Sequence, residues 1–71
     1  MTYTEIYKTA YNFHRQSQKI LARRGTSPEI WEIIANGMIA ISNQYKNDYL
    51  DGLLRLVYAE IARTHKQIRE D

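Results

Sequence analysis

The side chains that could do chemistry are few and scattered. Ser17, Ser27 and Ser42 are nucleophiles by type, but no histidine and acid accompany them in a way that would build a nucleophile, base and orienter. His14 and His65 fall on segments that we place on adjacent helices. Their levels differ by about five residues, roughly 7 Å along a helix axis, which is too far for a shared metal ion without a third ligand. Both are read as histidines at the edge of a core. The carboxylates stand where caps and ion pairs use them, as in Arg55 with Asp51 and Glu60 with Arg63. There is no cysteine, which excludes thiolate chemistry and Cys-based zinc sites and fits a reducing compartment. No phosphate-binding loop is present. The chain is expected to be non-enzymatic, with no cofactor and no metal.

Binding chemistry is better represented. After Glu5, the first third of the chain carries Lys8, Arg15, Lys19, Arg23 and Arg24 and no acid. At helical spacing Lys8, Arg15, Lys19 and Arg23 share an outward face with Asn12, and such a stripe can follow a phosphate backbone. The competing reading is a solvated face. Acids at helix starts (Glu29, Glu32) and bases at helix ends (Arg63, Lys66, Arg69, ahead of Glu70 and Asp71) are what helix dipoles favour in any case. Net charge is only +2, so the solvated reading is preferred. A helix-turn-helix layout is disfavoured by Asp48 and Asp51 at the start of the would-be recognition helix, where they would repel phosphates.

Six tyrosines form a second signal. Tyr3, Tyr7, Tyr45 and Tyr49 are expected at one end of the fold, near Glu5, Asp48 and Asp51. Aromatic rings with carboxylates could frame a cation site. We read them instead as amphipathic rings closing one end of the core with their hydroxyls in water. Tyr11 lies off the core stripe and is a candidate for an exposed contact. The third signal is surplus apolar surface: Trp31, Ala35 and Ile39 step along the flank of the middle helix, and Leu56 is also off its stripe. Apolar anchors of this kind are typical of interface centres.

These residues need elements to hold them, and periodicity gives three. The first helix is expected over Tyr3 to Arg23. Thr2 and Glu5 form its capping box, Ile6, Ala10, Phe13, Ser17, Ile20 and Leu21 its inner stripe, and Gly25 its stop in a left-handed cap. The second runs from Pro28 to Tyr45. Ser27 caps it with Pro28 at the first position, or Thr26 does so with Glu29. Ile30, Ile33, Ile34, Gly37, Met38, Ile41 and Tyr45 form its inner face, and Gly37 is expected to admit a close neighbour at a cost of about 1 kcal/mol in helix propensity. The third runs from Tyr49 to Arg69, capped by Asp48, with Leu50, Leu53, Leu54, Val57, Ile61 and Ile68 inward. Matched lengths and short breaks imply an all-α, antiparallel up-down-up three-helix bundle forming one domain over residues 1–71.

An apolar share of 44% is too high for a disordered tail. No apolar run approaches the ~18 residues of a membrane span. The opening MTYTEIYKTAY lacks the basic start and apolar stretch of a secretion signal, so a cytoplasmic protein is expected. At this length a core buries only about 60% of the unfolded surface, so self-association would add needed stability.

The words YTEIYKTAYNFH and WEIIANGM, followed by QYKNDYLDGLLRLVYAEIAR, resemble short uncharacterised helical accessory proteins of Firmicutes phages and conjugative elements. The similarity covers most of the chain, in helical hydrophobics and not in a chemical motif. It implies an accessory role in a mobile element, such as binding and inhibiting a host defence protein, and it carries over no active residue. The expectation is a small protein-interaction or regulatory protein, self-associating as a homodimer through Trp31, Ala35, Ile39, Tyr11 and Leu56. The alternative is a nucleic-acid-binding accessory using Lys8, Arg15, Lys19, Arg23 and Arg24.

Overall fold

The computed structural model describes residues 1–69, with side chains through His65. The expected core place of Ile68, and the charges of Lys66, Arg69, Glu70 and Asp71, lie outside the described side chains. Three helices follow in order: α1 (Tyr3–Arg24), α2 (Pro28–Tyr45) and α3 (Asp48–Arg69). They form an all-α, up-down-up three-helix bundle 41 Å long and 18 by 17 Å across.

Local chemistry sets the helix ends. The Thr2 hydroxyl accepts from the Glu5 amide at 3.1 Å, and the Glu5 carboxylate accepts from the Thr2 amide at 2.8 Å, closing the expected capping box. The Thr2 backbone hydrogen bond holds the Glu5 carboxyl below the usual glutamate range. Gly25 ends α1 at φ 89° and ψ −171°. This is not the left-handed helical cap expected from the sequence. It is a more extended region with positive φ, open essentially to glycine alone. Ser27 is the N-cap of α2 by position but makes no side-chain cap bond, and Pro28 at the first position presets the backbone. α2 stops at Lys46, which takes the left-handed conformation at φ 50°.

The cap of α3 corrects the expectation. Asn47, not Asp48, accepts from the Leu50 amide at 2.9 Å, so Asp48 opens the helix itself. The reason is spacing: a capping side chain reaches the amide three residues on. From Asn47 that residue is Leu50.

The core is a single cluster. Ile6, Ala10, Phe13 and Leu21 of α1 meet Ile30 and Ile34 of α2 and Leu50, Leu54 and Ile61 of α3, with Ser17 buried beside them. Among the described residues no buried side-chain polar atom lacks a hydrogen-bond partner. α1 packs most extensively on α3 and least on α2. The junction of α2 with α3 is tied by Asp51. It accepts from the Ser42 hydroxyl at 2.7 Å and from Arg55 Nε at 3.0 Å. The hydrogen bond from Ser42, then that from Arg55, holds the Asp51 carboxyl below the ordinary aspartate range.

Two outcomes test these ends. Asn47→Ala should cost about 1 kcal/mol in a urea melt while Asp48→Ala costs much less; the reverse order would return the cap to Asp48. Because the folded-state pKa of Asp51 is depressed, its contribution is present above the ordinary aspartate value and is lost as pH falls through the lowered one. In Ser42→Ala that contribution is reduced from the outset. The gap in Tm between wild type and variant should therefore be widest near about pH 6 and close toward about pH 2.

Candidate functional site

α1 packs most extensively on α3, and its contact with α2 leaves part of the facing flanks open. The gap is an open groove of about 470 Å³, lined on the α1 side by Thr9, Asn12, Phe13, Gln16 and Ile20 and on the α2 side by Ile33, Ile34, Gly37, Ile41, Gln44 and Tyr45. Its floor is apolar, with Phe13 and Ile34 from the core. Its lips are uncharged amides and a hydroxyl: Thr9, Asn12 and Gln16 on one side, Gln44 on the other.

Two inner-face expectations are corrected here. Ile33 was placed in the core, yet it is 45% exposed on the groove wall. Gly37 was expected to admit a close neighbour, yet a Cβ built there would meet nothing within 4 Å. Both follow from one cause. With α1 drawn onto α3, the flank of α2 that carries Ile33 and Gly37 has no helix fully against it. Tyr45, also expected inward, is exposed at the end of the same flank. Beside it lies a smaller recess, lined by Met1, Glu5, Lys8, Thr9, Asn12 and Tyr45, that continues the groove.

The ridge picked out in the sequence divides. Trp31 is half-buried and has partners of its own. Its indole meets the rings of Tyr58 and His65 edge-on, at centroid distances of 5.9 and 6.1 Å. Ala35 is half-buried. Ile39 is 51% exposed, next to a small recess formed with Met38, Ser42, Asn43, Asp51 and Arg55. Tyr11 and Leu56 are exposed, at 61% and 68%, and line neither recess nor groove. No single recess gathers these five residues.

Lys8, Arg15, Lys19, Arg23 and Arg24 are all exposed, and none forms an ion pair with a described residue. Among the described residues the ion pairs are the expected Arg55–Asp51 and Arg63–Glu60, at 3.0 and 2.7 Å. The tyrosine cluster also divides. Tyr3 and Tyr7 stack edge-on against Tyr49, at 5.5 and 5.9 Å, and the Tyr7 and Tyr49 hydroxyls share a hydrogen bond. That bond raises the Tyr49 hydroxyl above its usual range. Tyr45 belongs instead to the groove. Among the described residues no group of three or more His, Asp or Glu side chains could hold a metal ion, and no helix is long and apolar enough to cross a membrane.

The groove was legible in part. Ile33, Gly37 and Gln44 fall nearly in line down α2, beside Asn36 and Ala40. Two amides along an apparently apolar flank are the signal that it is not enclosed.

Gly37 therefore supplies space where a side chain would fit. Gly37→Ala should raise stability by about 1 kcal/mol, since alanine gains helix propensity and meets no clash. For a domain this size that is roughly 4–8 °C in Tm. An unchanged or lowered Tm would show that the flank is closed in solution.

Comparisons with known protein families, curated proteins and solved structures gave no significant match, so the functional reading rests on the site itself.

Proposed function

We propose that this chain is a small non-enzymatic protein-interaction module and that the α1/α2 groove is its contact surface. The observation that carries the reading is Ile33. A large apolar side chain stands out from a groove floored by Phe13 and Ile34, beside a glycine with no neighbour, in a fold whose core is complete without it. A long apolar trough with amide lips suits the apolar face of an amphipathic helix, which anchors through residues one turn apart. Ile20, Ile33 and Ile41 are the anchoring walls, Gly37 gives depth, and Asn12, Gln16 and Gln44 meet polar groups at the rim. The accessory role implied by the resemblance would be exercised through this trough.

Nucleic-acid contact is the second reading. It is favoured by the absence of described acidic partners for Lys8, Arg15, Lys19, Arg23 and Arg24. Micromolar retardation of generic duplex or single strands that weakens steeply with salt, and is lost in Arg15→Glu/Lys19→Glu, would put it first.

The groove is tested by capture. Wild-type and Ile33→Glu protein are immobilised and exposed to lysate supplemented with a labelled copy of the chain itself. Retention of a protein or of the labelled copy by wild type, lost in Ile33→Glu at equal helicity, is the expected result. Equal retention by both would remove the groove from consideration.

A further inference from the structure

We propose that the occupant of the groove is a second copy of this chain, seated so that α1 of each copy lies antiparallel over α2 of the other. The proposal rests on the groove being a protein-contact surface and specifies what fills it.

Charge selects the occupant and the pairing. Beyond Glu5, α1 carries only bases, while α2 carries only acids, Glu29 and Glu32, and no base. By helical spacing Lys8, Lys19, Arg23 and Glu29 flank the residues that line the groove. Lys8 stands one turn before Asn12, and Lys19 and Arg23 stand one and two turns after Gln16. Glu29 stands one turn before Ile33. Outside the uncharged lips, the α1 side is thus flanked by bases and the α2 side by Glu29 near its start, and Glu29 is not paired with a described residue. Laying α1 over α1 would set Lys8, Lys19 and Arg23 against their own copies. Laying α1 over α2 of the other copy, about an axis running along the bundle, sets Lys19 and Arg23 beside the Glu29 of the other copy. Every neighbouring pair in the resulting four-helix layer is antiparallel, which also matches the helix dipoles.

Shape agrees. A twofold interface must be complementary to itself, offering on one face both what protrudes and what receives. This face does so between its two helices, since Ile33 stands out from α2 and the groove alongside α1 of the other copy can receive it. Pairing would cover Ile33 and Ile41 of both copies, and would extend a core that, among the described residues of one copy, has nine buried apolar side chains.

The test is sedimentation equilibrium from about 1 µM to about 1 mM at low salt, on wild type and on two charge-reversed variants, Lys19→Glu and Glu29→Lys, each checked for helicity. Wild type is expected to pass from 8.4 kDa to twice that mass. Each variant alone should dimerise about tenfold more weakly or worse, and an equimolar mixture of the two should recover the dimer. A wild type that stays monomeric throughout overturns the proposal. The groove reading would survive this if capture still retains a foreign protein through Ile33. Two variants that each dimerise as well as wild type, or a mixture that does not recover, likewise overturn it.

Discussion

The molecule depends on the burial of one stripe of α3. Leu50 and Leu54 have no exposed surface and Ile61 almost none, and each such side chain contributes about 1.5–3 kcal/mol on burial. To enclose that stripe, α1 offers Ile6, Phe13 and Leu21 with the small Ala10 and Ser17 between them. Small residues permit close approach, so the two parallel helices lock together and α2 packs against a surface they have already defined. Asp51, bridged to Ser42 and Arg55, then fixes where α2 ends relative to where α3 begins.

The groove is the remainder of that arrangement. Three helices cannot all touch along their full flanks when one pair closes tightly, and the slack appears where α1 would have met α2. Ile30, Ile34 and Met38 still reach the core or its edge, which is enough to dock α2. Ile33 and Gly37, about 100° and 60° round from Ile34 on the helical repeat of 100° per residue, are left over the opening.

Much of the architecture was readable from residues alone. The three spans, the Thr2–Glu5 box, the stop at Gly25 and both ion pairs depend on neighbours within four positions, where helical geometry leaves little choice. What the sequence did not disclose lay between helices. Ile33 and Ile34 are adjacent and identical, yet one closes the core and the other faces the groove. They point about 100° apart, and which of the two directions is covered depends on how α1 packs against α2, which no local pattern records. Trp31 looked unpartnered because its partners, Tyr58 and His65, lie about thirty residues away on α3. Asn47 was passed over as the cap in favour of an equally suitable neighbour, and only the hydrogen bond to Leu50 separates them.

The placement of Trp31 has a practical corollary. It is the single tryptophan of the chain, half-buried on the flank of α2 that faces α3, with Tyr58 and His65 against its edge and the groove on the other flank. Its emission is therefore an intrinsic optical reporter of whether α2 is docked on α3. The signal is spatially separated from whatever occupies the groove, so ligand titrations and unfolding can be followed in the same sample without a label.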